Sequence, residues 1–128
     1  MNLKILLVFA LALLLGACRT APVIYEVKDA TVTTNVPNAS KEDVRKAIMR
    51  AGAGLGWQMA DNGPNAMIGT LLLRTHKAVV DIPYSATRYS ITYKDSTNLN
   101  YDGKSIHSNY NGWIQNLDKA IKAQLSTL

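Results

Sequence analysis

Cysteine occurs once in these 128 residues, at Cys18, and that scarcity excludes a good deal. One thiol cannot close an intrachain disulfide, so the fold must hold by packing alone. A zinc site of the multi-cysteine type is excluded too. Histidine occurs only twice, at His76 and His107. No serine stands in a G-x-S-x-G setting, so the nucleophile-elbow arrangement is missing. Nine acidic residues are a thin supply for the paired carboxylates of a glycosidase. Long apolar runs are missing as well, with one exception. Ile5 to Leu15, ILLVFALALLL, is unbroken. It is too short to span a bilayer as a helix, which takes about 20 apolar residues.

What charge there is leans basic: 14 Lys and Arg against nine Asp and Glu, a formal +5. An excess of that size favours anionic surfaces such as lipid headgroups or acidic glycans. It is too small to argue for nucleic acid.

The N-terminus reads as a unit. Met1 to Lys4 is a short positive segment, Ile5 to Leu15 the apolar one, and small residues Gly16 and Ala17 precede Cys18. Small side chains suit the residues beside a signal-peptidase cut, and a thiol just after the cut is the best nucleophile for alkylation. Leu15-Gly16-Ala17-Cys18 resembles a lipobox, and the first 18 residues resemble a bacterial lipoprotein signal peptide. The resemblance implies cleavage before Cys18 and acylation of its sulfur and new amino group. Several acyl chains, at about 0.8 kcal/mol per buried CH₂, anchor a chain for good. The expected layout is a signal peptide at 1–17, a lipidated tether at 18–23 and one domain at 24–128. Residue 19 is Arg; Asp there would resemble an inner-membrane retention signal, so the resemblance points to the outer membrane, with the domain facing the periplasm or the cell surface. The mature chain would keep 13 basic residues against nine acidic, a charge of +4. An exported protein of this kind rarely meets nucleic acid. The plainer readings of the same run are an ordinary secretory signal with a chance cysteine, or a buried N-terminal helix.

Beyond the tether the chain alternates in type. Ile24 to Thr34 is rich in β-formers and predicts a strand. Ser40 with Asp43 predicts a capping-box start to a helix, with Val44, Ala47, Ile48, Ala51 and Leu55 on one face. Gly52, Gly54 and Gly56 close it, and the small residues Ala51 to Gly54 would let it lie close on a sheet. Strands are expected at 57–60, 66–75, 76–82 and 87–95, the last with Tyr89, Ile91 and Tyr93 on one face. A further short strand is expected at Leu99 to Tyr101. A final helix over 109–126 carries the stripe Tyr110, Trp113, Ile114, Leu117, Ile121 and Leu125. The fold class is therefore α+β: one antiparallel sheet of about four to five strands with two helices packed on one face, in the order β-α-β-β-β-(β)-α. The block Tyr89 to Leu117 resembles the C-terminal half of small Gram-negative outer-membrane lipoproteins. That resemblance brings no catalytic residue with it.

Candidate chemistry is sparse. Asn98, Asn100, Asp102 and Gly103 resemble the start of an EF-hand loop, but Asn109 stands where the bidentate Glu belongs. Tight turns are the plainer reading. His107 precedes the last helix and His76 lies between two strands, each with a turn or cap role open to it. Tyr84 and Tyr101 lie near turns and, with His107, make the candidate surface patch; Tyr110 and Trp113 belong to the apolar stripe. Lys41, Arg45, Lys46 and Arg50 give the first helix a basic face that could touch headgroups or merely be solvated. The expected function is a membrane-anchored, non-enzymatic binding or assembly module. The membrane is reached through Cys18, the partner is an envelope protein or the cell-wall polymer, and no cofactor or metal is called for. The alternative is a small envelope hydrolase or a small-ligand or glycan-binding lipoprotein.

Overall fold

The computed structural model describes residues 20–128; residues 1–19, with the expected signal peptide and Cys18, lie outside the described residues. In chain order the elements are β1 (Val27–Thr31), α1 (Lys41–Gly54), β2 (Gln58–Asp61), β3 (Ala66–Leu73), β4 (His76–Pro83), β5 (Arg88–Thr97) and α2 (Ser108–Leu125). The strands form one antiparallel sheet in the order β1-β5-β4-β3-β2. This is the expected α+β architecture, with five strands and two helices.

The period-two pattern sends one side of the sheet toward the helices. Met67 and Leu71 of β3, Ala78, Val80 and Ile82 of β4, and Tyr89 and Ile91 of β5 share a core with the α1 residues Val44, Ala47, Ile48 and Ala51 and the α2 residues Tyr110, Ile114, Leu117, Ile121 and Leu125. Each fully buried aliphatic side chain here is worth about 1.5–3 kcal/mol. α1 begins where the sequence says it should. The Ser40 side chain accepts from the Asp43 N–H at 3.0 Å, and the Asp43 carboxylate accepts from the Ser40 N–H at 3.3 Å. Gly52 is required near its end, because a Cβ there would stand 2.3 Å from Met59 Sδ. Gly69 similarly leaves room for Trp57, whose Cε3 would sit 3.3 Å from an added Cβ.

Three details differ from the simple pattern. β1 is shorter than expected and is bulged between Val27 and Ala30; Asp29 takes φ 54° and donates its N–H to Ser90 Oγ at 2.8 Å. A second register shift lies between Val79 and Val80, which pair with Asp95 and Tyr93 and leave Lys94 as the extra residue. Unbroken alternation after Tyr89, Ile91 and Tyr93 would point Asp95 into the core. The bulge sets it opposite Val79 on the other face instead. Leu99 to Tyr101 forms no strand. Asn98 and Asn100 both have left-handed backbones, φ 58° and 51°, and the kink they make drives Leu99 into the core, 1% exposed.

The chain joins the fold earlier than the tether expected at 18–23. The Pro22 carbonyl accepts from Ile106, Val23 bridges Ser105, and Ile24 donates to the Lys104 carbonyl. Asn111 clamps the same segment, accepting from the Tyr25 N–H at 2.8 Å and donating to the Val23 carbonyl at 2.9 Å.

Candidate functional site

Four segments converge where β4 begins: the β3–β4 hairpin, the end of β5 with its 98–107 loop, the first turn of α2, and the N-terminal strap. His76 opens β4 and His107 caps α2, and their rings lie 5.1 Å apart. Trp113, one turn into α2, lies 6.3 Å from the His76 ring. Each imidazole uses Nδ1 locally, in opposite senses. His76 donates from Nδ1 to the Asn98 carbonyl at 2.7 Å, since that oxygen can only accept. His107 accepts at Nδ1 from the Asn109 N–H at 3.2 Å, as the N-cap of the helix. Nε2 of each ring is not used in these bonds.

Beside this pair Tyr101 stacks on Tyr93 at 4.0 Å, and Tyr93 meets Tyr110 edge-on at 6.1 Å. The Tyr93 hydroxyl shares a hydrogen bond with Ser96 Oγ at 2.7 Å, and its backbone N–H donates to the Glu26 carboxylate at 3.0 Å. Burial, and then the neighbouring Glu26 charge, push the Tyr110 phenol above the ordinary tyrosine range. The Tyr110 phenol therefore stays protonated in neutral solution. A shallow cleft of about 300 Å³ lined by Thr20, Pro22, Asn100, His107 and Ser108 opens beside His107. The turn that follows Asn100 has its own use for Asp102, whose Oδ1 accepts from Lys104 and Ser105 at 2.9 and 2.7 Å. Those bonds hold its carboxyl below the ordinary 3.8. This is the tight-turn reading of the Asn- and Asp-rich stretch. Asp81 pairs with Lys94 at 3.6 Å on the exposed face of the sheet.

The expected patch does not hold together as one surface. Tyr101 and His107 belong to this end. Tyr84 follows the far end of β4, eight residues from His76, or about 26 Å along a strand. It is also buried, 7% exposed, because its backbone bridges Tyr89 and its ring is packed beside the α1–β2 ion pair. There Arg45 grips Asp61 with Nε and Nη2 at 2.9 and 3.0 Å and reaches Glu42 at 3.2 Å. Burial, and then the Asp61 charge, raise the Tyr84 phenol. The sequence places Tyr84 near a turn; the bridge to Tyr89 closes it in.

The basic face of α1 is mostly engaged by the fold as well. Arg45 serves Asp61, Lys41 bonds Asn65, and Arg50 bonds Gln124 at 3.1 Å. Among the described residues one charge is buried. Asp118 is 7% exposed, accepts from the Tyr89 hydroxyl at 2.5 Å, and pairs with Lys122 at 3.0 Å. The helical period could have found it, since Asp118 stands four residues after Ile114 and three before Ile121 on the buried stripe. The His76–His107 contact left no such trace, because it joins distant segments. Cys18, the lipidation candidate, lies outside the described residues. No protein-family model matches the chain, and comparisons with curated proteins and with solved structures return no match.

Proposed function

We propose that this chain is a lipid-anchored protein of the bacterial outer membrane, and that its domain is a non-enzymatic binding or assembly module. One observation carries the reading. The lipobox-like cysteine is only four residues ahead of Pro22, where the chain is already hydrogen-bonded into the fold. Four extended residues reach about 14 Å at most. An anchor at Cys18 would hold the domain against the bilayer, with the Tyr101–His107 end facing it. A partner met by that end sits at the membrane surface, which favours an envelope protein over the more distant cell-wall polymer. The half-buried rings and polar groups there suit contact, and each histidine Nδ1 already serves the backbone, which suits a structural role over general base work.

In-cell photocrosslinking from Tyr101 in the full-length chain tests this. A discrete, reproducible protein adduct is the expected result. Adducts to glycan alone would make the protein a cell-wall tether, and no adduct at all would contradict the module reading at this surface.

The adjacent imidazoles favour a second reading, a small-ligand site at the same place. Zinc titration followed through the His76 and His107 ring resonances distinguishes it. Saturable shifts of both rings at micromolar zinc support a ligand site, and unchanged rings count against it.

A further inference from the structure

Three of the exposed large apolar side chains among the described residues, Leu72, Leu73 and Val23, point to a second contact where the strap docks; Val36 and Leu55 lie on other segments. Leu72 is 58% exposed and Leu73 45%, both at the tip of the β3–β4 hairpin. Val23, on the strap, is 58% exposed. Leu73 pairs across the hairpin with His76, which touches His107, which lines the same cleft as Thr20. The tip and Thr20, the first described residue, are thus at one end of the sheet. The cations there are Arg74 in the turn, Lys77 opposite Leu72, and Lys104 opposite the strap. Asp102 is the acid of the adjoining loop, and its Oδ1 is occupied by two backbone N–H groups. Arg74 has φ 57°, so the turn is tight and projects its two leucines.

We infer that the Leu72–Leu73 hairpin tip inserts into the headgroup region of the bilayer that carries the anchor, with Arg74, Lys77 and Lys104 against anionic lipid. The inference rests on the lipid-anchor reading. Two leucines flanked by cations are the composition of an interfacial contact: apolar surface at the acyl boundary, positive charge among the phosphates. Alone they bind weakly. Tethered within a few residues of a permanent anchor, they meet the membrane at high effective concentration. The contact would fix the orientation of the domain and leave the opposite end, with Tyr84 and the Arg45–Asp61 pair, facing away from the lipid.

The test uses the full-length chain bearing Thr75→Cys, expressed in a bacterial host, extracted in detergent, and labelled at the introduced thiol with an environment-sensitive fluorophore. It is reconstituted into phosphatidylethanolamine–phosphatidylglycerol vesicles that contain a nitroxide-labelled lipid. Asn62→Cys, at the far end, is the control. The expected result is blue-shifted emission and quenching several-fold stronger at the tip than at the control. Adding Leu72→Ser and Leu73→Ser should bring the tip down to the control level. Equal quenching at both sites, in protein whose intact mass shows an acylated Cys18, would overturn the inference and leave the anchor standing. A tip shielded from water but not quenched by the lipid label would also overturn it, in favour of a protein neighbour such as a second copy. An unmodified Cys18 would overturn the anchor reading, and this inference with it.

Discussion

His76 and His107 stand with their rings 5.1 Å apart, one opening a strand and the other capping a helix. The contact ties the β3–β4 hairpin to the start of α2, and so joins the two halves of the end where the N-terminal strap docks.

His107 is an unusual N-cap, since its ring nitrogen does work that Ser or Asn does better. His107→Ser should therefore keep the helix start and change stability by less than about 1 kcal/mol. Urea denaturation measures it. A loss several times larger would mean that ring packing against His76 and Trp113, and not the cap, is what the histidine contributes.

Asp118 and Tyr89 should be tightly coupled. The Tyr89 phenol is raised above its ordinary range, first by burial and then by its bond to the Asp118 carboxylate, so it remains the donor. Tyr89→Phe leaves one carboxylate oxygen without that donor and should cost about 1–3 kcal/mol. Replacing both, as Tyr89→Phe with Asp118→Leu, should cost less than the sum of the two single changes. A double-mutant cycle by denaturant titration gives the coupling, and strict additivity would contradict it.

Asp102 should contribute to acid sensitivity. Its folded carboxyl lies below 3.8, first because of the Ser105 N–H and then the Lys104 N–H. As pH falls, the unfolded chain takes up this proton before the folded one does. The stabilisation is full above the unfolded value and is lost as pH falls through the folded value. Asp61, lowered chiefly by its bond to Arg45, acts in the same direction. Asp102→Asn should thus lower stability at neutral pH and narrow its difference from the parent chain in acid. Paired denaturation curves across that range measure the effect, and a pH-independent difference would contradict it.

Much of the fold could be read from local pattern. The Ser40–Asp43 box, the α2 stripe and the alternation at the start of β5 each depend on neighbours within one or two turns, and each appears where expected. What escaped depends on register. Nothing local announces the bulge that turns Asp95 outward, the paired left-handed asparagines that bury Leu99, or the bridge that buries Tyr84. The candidate site was half legible for the same reason. Tyr101 and His107 were identified singly, but their neighbours His76, Tyr93 and Trp113 reach them only through the fold.

The proposed function depends most on the fate of Cys18. Intact-protein mass spectrometry of the chain recovered from bacterial membranes, compared with a Cys18→Ala variant, addresses it directly. The expected result is a mature chain that begins at Cys18, carries diacylglycerol and amide-linked acyl mass, and leaves the membrane fraction when Cys18 is replaced. A chain that retains residues 1–17, or one cut elsewhere with an unmodified thiol and unchanged by the substitution, would contradict it.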